Sequence, residues 1–586
     1  MCGIFGYVGE RHDVAATVGS ALRTLEYRGY DSWGIVWQQG EILRTVKKTG
    51  RVPSTLPLDE FSSLAVGHTR WATHGGVTEA NAHPHLDCTG RLAIVHNGIV
   101  ENAPALRETL DRHHRITSET DSEIIAHLLE ERLVTNASLL DAVREVFPLL
   151  EGSNAVIALD QHGNEIVAVM NISPLVIGIG AKGAYIASDP YALTGQADRM
   201  IVVPQGSIVR LHDSDVEVYD RQGGRGLLPA SEPVPSALDE HLGAFRHYMA
   251  KEMADQPAIL ARHAQQQTIG CELSGLIRGS DQIFLTGCGS ALFAARIGAS
   301  WLGRALGKRA TAVAASDFSE MVHFLRPDSL VLGLSQSGET ADLLEALRSA
   351  QEAGTPTAAI VNVMHSTAAR MADHVFPLDA GRERSVLATK SFTAMLGRML
   401  AAAESGSGDG PQSASVLNGA SRTIAQLQMS GSFSARIDAV AERFAQAEHI
   451  FVIGKGHGVG VAQEAALKIK EASYVHAEAF TAGELKHGAI ALVEPGTPCL
   501  MLASDDRFRS DIESTGQELR SRGGYTVSIG SSAGDAAEDT IDVPDAGAAA
   551  PIVHAYVAQH LAYRMAILKG LDPDYPRNLA KSVTVK

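Results

Sequence analysis

Three sets of residues in this 586-residue chain could do chemistry. The first opens the chain: Met1-Cys2-Gly3-Ile4-Phe5-Gly6. Removal of Met1, which a small second residue permits, would leave a thiol and an α-amino group on Cys2. That amine, with an ordinary pKa of about 8, can act as base for its own thiol at about 8.5. Taken alone, the hexapeptide reads first as an ordinary cysteine beside a start methionine. The polar segments His68–Gly75, Asn81–His85, His96-Asn97-Gly98 and Glu119-Thr120-Asp121 change that reading. They supply what glutamine hydrolysis needs. A guanidinium can clamp an α-carboxylate and a carboxylate can hold an α-amino group. Asn97 and the Gly98 N–H can form an oxyanion hole. The histidines with Cys88 nearby could instead be a metal site or a polar loop. They match no common zinc pattern, so no metal is expected.

The second set is Ser335-Gln336-Ser337-Gly338-Glu339-Thr340, between an apolar strand and a helix. Hydroxyls, an amide and free N–H groups at a helix N-terminus make a neutral phosphate cradle. The absence of a nearby lysine favours a phosphorylated sugar over a nucleoside triphosphate. An unliganded polar cap is the alternative. The third set is Glu464, Lys468 and Glu471, at i, i+4 and i+7 on one helix face. It is either a solvated salt-bridge stripe or an acid/base group for moving a proton between adjacent carbons. His487 adds an imidazole that titrates near neutrality. The tail Pro576–Lys586 carries Lys581, an amine that could form an imine with a ketose.

The elements that must position these groups follow from pattern. Up to about residue 225 the chain is strand-rich: Leu92–His96, Ala155–Leu159, Ile166–Met170 and Leu175–Ile179 are short apolar runs between turn residues. Helices are predicted near Val14–Leu25 and Ser122–Arg132, the second capped by Asp121 or Ser122. Asp220–Ser236, rich in Gly and Pro, reads as a linker. Beyond it, strands alternate with helices, which predicts a parallel sheet. That part repeats: Gln282–Leu285, Gly287-Cys288-Gly289 and helix Ala291–Leu302 reappear 167 residues later as His449–Ile453, Gly454-Lys455-Gly456 and helix Gly460–Ser473. Leu330–Leu334 with Ser335 and Leu500–Ala503 with Ser504 repeat at an offset of 169. Two such offsets indicate a duplicated α/β domain. Glu404–Ser415 reads as a surface segment. Neither Gly-x-Gly turn has the third glycine of a dinucleotide fingerprint, and there is no Walker loop.

Composition sets outer bounds. A net charge of −17 argues against a nucleic-acid or anionic-membrane binder. The five cysteines, with no Cys-x-x-Cys, argue against a disulfide framework and for a reducing, cytoplasmic location. No signal peptide or uninterrupted apolar span of about 18 residues is visible.

On these motifs, residues 1–225 resemble the class II glutamine amidotransferases. The resemblance implies an N-terminal-nucleophile hydrolase fold, a four-layer αββα domain with Cys2 as nucleophile. It assigns Arg70, Thr73, His74, His83 and Asp121 to glutamine, Asn97 and Gly98 to the oxyanion hole, and Trp71 to gating of ammonia. The remainder resembles the duplicated sugar-isomerase (SIS) domains of the glutamine–fructose-6-phosphate aminotransferases, and Tyr27–Ser32, His247-Tyr248-Met249 and His476–Ala479 extend that resemblance to the whole chain. That resemblance implies two doubly wound α/β domains over residues 242–425 and 426–570, after a linker at 226–241 and before a catalytic tail at 571–586. It implies Ser290, Ser335, Gln336, Ser337, Thr340, Val386 and Ala580 at the sugar phosphate. Glu471 would be the base for the C1–C2 proton transfer, with Lys468 assisting at the C2 oxygen and Glu464 in support. His487, from a neighbouring subunit, would open the ring, and Lys581 would form the Schiff base. A homodimer acting on glutamine and a sugar phosphate, without cofactor, is implied. Two departures stand out. Cys288-Gly289-Ser290-Ala291 has Ala291 where the family has a phosphate-contacting serine, a loss worth about 1.5–3 kcal/mol. Arg382-Glu383-Arg384 is also unusual. A paralogue acting on another ketose phosphate and an inactive sugar-phosphate sensor are the alternatives.

Overall fold

The computed structural model describes residues 2–56, 58–135, 138–213, 215–235, 242–405 and 412–583. The chain forms two compact units, Met1–Glu240 with Ala580–Lys586, and His241–Leu579.

The first unit is built on two antiparallel sheets. The eight-stranded sheet runs in the order Glu232–Pro233, Arg199–Val202, Val176–Gly180, Gly183–Ala187, Gly3–Asp13, Phe61–Arg70, Ser32–Gln39, Ile42–Thr49. The six-stranded sheet runs Asp215–Tyr219, Ser207–His212, Glu165–Asn171, Asn154–Asp160, Leu92–Gly98, His85–Leu86. Period-two alternation sends side chains to opposite faces, and three cores result. Ile4, Val8, Val66, Val95, Ile157 and Ala168 meet between the sheets. Phe5, Tyr7 and Trp33 face outward onto the helix Val14–Leu25. Ile94, Val156 and Val169 face the helices Glu123–Thr135 and Leu139–Val146 on the opposite side. The layers are therefore αββα.

The helix Val14–Leu25 follows its sequence signals closely. Asp13 accepts the Ala16 N–H at 3.0 Å as N-cap, and Val14, Val18, Leu22 and Leu25 are buried. The helix Glu123–Thr135 does not start as expected. The Asp121 carboxylate takes the Val100 N–H at 2.7 Å, and the Ser122 hydroxyl lies 2.8 Å from His96 Nδ1. Glu123 instead fixes the approach, accepting the N–H groups of Thr117 at 2.8 Å and Ser118 at 2.6 Å. The expected linker is partly ordered into the fold, since Glu232 and Pro233 pair with Met200 and Arg199. Residues 236–241 lie outside the described residues.

The second unit holds two parallel five-stranded sheets of the same topology. One runs Arg309–Ala314, Gln282–Gly287, Leu330–Ser335, Thr357–Val361, His374–Pro377; the other runs His476–Thr481, His449–Gly454, Pro498–Ala503, Tyr525–Gly530, Asp539–Asp542. Each is order 2-1-3-4-5, the doubly wound arrangement that places ligands beyond the carboxyl ends of the strands. One continuous core joins both copies. Helices Ser290–Leu306 and Gly458–Ser473 approach closely within it: a Cβ on Gly460 would lie 2.6 Å from Ile297 Cγ1. Of the expected surface segment Glu404–Ser415, residues 406–411 lie outside the described residues. No described helix is long and apolar enough to cross a membrane.

Candidate active sites

Cys2 precedes the central strand Gly3–Asp13 and is half-buried. Its Sγ lies 3.4 Å from the Trp71 backbone nitrogen, which donates to it. Its carbonyl is fixed by Arg28 Nε at 3.2 Å and Asn97 Nδ2 at 3.0 Å. Arg28 is itself held by Asp189, 3.3 Å away, a carboxylate that also accepts the Tyr27 hydroxyl. Burial pushes the Cys2 thiol up, opposed by the Trp71 N–H and by the charges of Arg70 and Arg28.

Arg70 ends the strand Phe61–Arg70 and shapes the loop that follows. Its guanidinium donates to the carbonyls of His74 (2.5 Å), Gly76 (3.1 Å) and Gly75 (3.3 Å). From the other side, the Glu119 carboxylate accepts the Gly76 N–H at 3.1 Å and Asn81 Nδ2 at 2.9 Å. Thr73 and His74 stand exposed on this loop. Gly98 has φ +144°, and a Cβ there would sit 1.7 Å from the Ser153 carbonyl oxygen. Only glycine fits beside Asn97. Asn97 Oδ1 is buried without a hydrogen-bond partner among the described residues.

Four buried histidines brace this strand end. His68 and His83 stack with ring centroids 4.1 Å apart, and His85 meets His83 edge-on at 4.5 Å. The His96 N–H donates to His83 Nδ1 at 3.2 Å, and His96 Nε2 lies 3.0 Å from Asn154 Oδ1. Burial holds His68 and His85 down to about 3, and His83 and His96 below the usual range. They are neutral scaffold rings at physiological pH. His83, expected at the glutamine, stands in this scaffold. Cys88 is not part of it and lies instead beside His114 and His127.

In the second unit, Ser335 ends its strand and accepts the Gly338 N–H at 2.9 Å; Ser337 Oγ accepts the Glu339 N–H at 3.2 Å. Gly338 has φ +67°, and a Cβ there would lie 2.0 Å from Ser366 Oγ. Gln336, Ser337 and Thr340 are half-buried at the start of the helix Ala341–Glu352. The cradle is therefore a tight backbone turn carrying hydroxyl and amide groups into a helix N-terminus.

Glu464, Lys468 and Glu471 lie on the helix Gly458–Ser473. Lys468 Nζ is 2.5 Å from Glu471 and 3.7 Å from Glu464. Side-chain exposure is 0% for Glu464, 1% for Lys468 and 20% for Glu471, so Glu471 alone is open to a ligand. The stripe is not solvated. Burial pushes Glu464 up to about 7, against the pull of Lys468. The carboxylates keep Lys468 protonated despite its desolvation. Glu383, also buried, adds to that field while accepting the N–H groups of Thr389 (2.9 Å) and Ser391 (3.0 Å).

The remaining expected residues stand on several elements. Ser290 is buried at the start of its helix, and Val386 is buried with its N–H on the Asp574 carbonyl at 2.9 Å. Arg384 stacks over the Tyr248 ring, 4.6 Å from its centroid. His487 is exposed on the turn Glu484–His487. Ala580 and Lys581 belong to the first unit, whereas the Glu464–Lys468–Glu471 group belongs to the second. Three supporting residues carried no individual role in the sequence reading: Arg28, Asp189 and Glu383. Arg28 and Glu383 lie inside segments already singled out by the family resemblance; Asp189 gave no signal.

A glutamine amidotransferase domain family matches residues 68–195, and the SIS domain family matches 276–405 and again 443–569. The glutamine–fructose-6-phosphate aminotransferase (isomerizing) of Thermus thermophilus is 38% identical, with 100% of both chains covered. The chain belongs to the glutamine–fructose-6-phosphate aminotransferase family. The Haemophilus influenzae relative is 37% identical, again over 100% of both chains. Among solved structures, the C-terminal domain of glucosamine-fructose-6-phosphate aminotransferase from Francisella tularensis covers 58% of this chain and 100% of its own, at 30% identity and TM-score 0.52. Tagatose-6-phosphate ketose/aldose isomerase from Escherichia coli, at 22% identity and TM-score 0.50, covers 56% of this chain and 95% of its own and shares the fold.

Proposed function

We propose that the chain transfers glutamine-derived ammonia to fructose 6-phosphate and isomerises the product to glucosamine 6-phosphate, releasing glutamate. The observation that carries this reading is the buried Glu464–Lys468–Glu471 group with one open carboxylate, in a chain that also holds Cys2 against a backbone N–H.

In the first step the Cys2 thiolate attacks the glutamine amide. The α-amine, freed by loss of Met1, takes the thiol proton, and Asn97 with the Gly98 N–H receives the developing oxyanion. Ammonia leaves, and water hydrolyses the γ-glutamyl thioester to glutamate. Arg70, Thr73, His74 and Asp121 bind the glutamine, and His83 acts through the strand it braces. Trp71 gates an internal ammonia path. In the second step Ser335, Gln336, Ser337 and Thr340 hold the phosphate, with Ser290, Val386 and Ala580 around the sugar. His487 of a second copy opens the ring, which suits its exposed position and implies a homodimer. Lys581 forms an imine at C2, and ammonia displaces it. Glu471 then removes a C1 proton and returns it to C2, while Lys468 stabilises charge at the C2 substituent. The reading implies a cytoplasmic enzyme and asks for no organic cofactor.

Cys2→Ala tests the first half. It should lower glutamine-dependent synthesis by at least about a thousandfold and leave ammonia-dependent synthesis intact. An unchanged glutamine reaction would remove Cys2 from the mechanism. Mass-spectrometric product identification across several ketose phosphates tests the acceptor. Turnover of another ketose phosphate with none of fructose 6-phosphate would replace it.

A further inference from the structure

Four side chains outside both candidate active sites converge on one point in the first unit. Cys88 follows the strand His85–Leu86, His114 lies in the loop before the helix Glu123–Thr135, and His127 and Glu130 sit one turn apart on that helix. Cys88 Sγ is 3.5 Å from His114 Nδ1 and 3.6 Å from His127 Nδ1. Glu130 Oε2 is 3.1 Å from His114 Nδ1 and 3.0 Å from His127 Nδ1. Every pair of the four donor atoms lies within 4.8 Å.

The four distances from 3.0 to 3.6 Å match edges of a metal polyhedron. Zinc bonds of about 2.3 Å to sulfur and about 2.0–2.1 Å to nitrogen or oxygen give tetrahedral edges of about 3.6 Å and about 3.3 Å. The outer shell is partly in place. His114 Nε2 faces Glu131 at 3.3 Å, and His127 Nε2 faces Glu123 at 3.7 Å. Both rings present Nδ1 inward, and His114 has a carboxylate within hydrogen-bond distance behind it, the arrangement that fixes a ligand tautomer at zinc sites; Glu123 is too far from His127 Nε2 to bond it. The Arg115 backbone N–H donates to Cys88 Sγ at 3.3 Å. One thiolate, two imidazoles and one carboxylate is a borderline-soft set suited to zinc rather than magnesium or calcium.

We propose that Cys88, His114, His127 and Glu130 bind one structural zinc ion. Among the described residues the set has no fifth ligand side chain, so its role is to tie three segments together. One of them runs from His114 to Glu119, and Glu119 holds the loop at Gly76 beside Arg70. The ion braces the glutamine site from behind without touching it.

The test uses the full-length enzyme, stripped with a chelator and equilibrated with micromolar zinc. Elemental analysis should find about one equivalent per chain in the wild type and under about a tenth in Cys88→Ser/His114→Ala. Cys88 is exposed and His114 is half-buried, so the variant should fold, and a wild-type circular-dichroism spectrum with a cooperative unfolding transition checks that it has. Zinc should raise the Tm of the wild type and not of the variant, and cobalt substitution should give a thiolate charge-transfer band that Cys88→Ser removes. Cys2→Ala should keep its equivalent. No binding by the wild type, an undiminished equivalent in the double variant, or loss of the metal in Cys2→Ala would each overturn the proposal.

Discussion

The two copies of the parallel α/β domain share strand order but differ in what occupies their ligand positions. At the 167-residue offset, Glu464 and Lys468 correspond to Ile297 and Trp301, both buried in the core. Glu471 corresponds to Arg304, 2.9 Å from His457. The strand-end loops differ in the opposite sense. Ser335–Thr340 is a neutral, hydroxyl-rich turn. Its counterpart, Ser504–Arg509 at the 169-residue offset, carries Asp505, Asp506, Arg507 and Arg509. Arg509 is engaged by Asp505, by Ser531 and, at 2.8 Å, by Glu513. Phe508 lies against the glycine turn, so that a Cβ on Gly456 would be 2.2 Å from its ring. One copy therefore offers an open cradle and a helix without acidic groups; the other offers a filled mouth and a helix with a buried acid/base set. A duplicated fold fixes where a site can form, and substitution decides which copy supplies binding and which supplies acid/base groups.

Each difference can be broken by substitution. The largest effect is expected from Glu471→Gln, which should lower kcat for synthesis by about 10²–10⁴ while glutamine hydrolysis persists. Arg304→Gln, its counterpart, should leave synthesis nearly unchanged; equal losses would dissolve the division between the copies. Lys468→Met should cost about 3–5 kcal/mol in denaturant unfolding, because it strands buried carboxylates. Adding Glu464→Leu, which makes the helix resemble that of the first copy, should recover most of this stability with activity absent.

The next effect is pH-dependent. Glu464 is raised in the folded state from 4.5 to about 7. Its contribution to stability is thus present below its ordinary pKa and is lost as pH rises through about 7. A shift of this size corresponds to about 3 kcal/mol. Unfolding measured between pH 5 and pH 8 should show this loss in the wild type and a flatter profile in Glu464→Gln. The smallest change is expected from Ser337→Ala, which removes one hydroxyl from the cradle. It should raise KM for the sugar phosphate about tenfold, as a hydrogen bond to a charged group is worth about 1.5–3 kcal/mol. Asp506→Ala in the second copy should leave KM unchanged.

Much of this architecture could be read before any coordinates. The short strands of the first part follow from apolar runs between turn residues, and the duplication follows from glycine turns at near-constant offsets, because both are local patterns; the αββα layering came only with the family resemblance. Glu464, Lys468 and Glu471 share a face by helix geometry alone, but their burial depends on what packs over that face. His83 shows the limit. Nothing in a polar segment's letters tells that its ring stacks on His68, which only tertiary packing brings beside it. Asp121 and Ser122 fit a helix cap until Val100 and His96 engage them. Arg28 and Asp189 are 161 residues apart, and Cys88, His114, His127 and Glu130 spread across three segments, so spacing alone joins neither set.

The two-residue strand Glu232–Pro233 has a bearing on solubility. It covers Arg199–Val202, which would otherwise form one border of the eight-stranded sheet. A proline there has no N–H to offer a further strand. The opposite border, Ile42–Thr49, carries Arg44, Lys47 and Lys48. Both margins thus discourage recruitment of a neighbouring chain's backbone, one by a missing donor and one by positive charge. The stretch that joins the halves therefore also acts as a guard against fibrous self-association, and trimming it would endanger the fold's behaviour at high concentration before it touched catalysis.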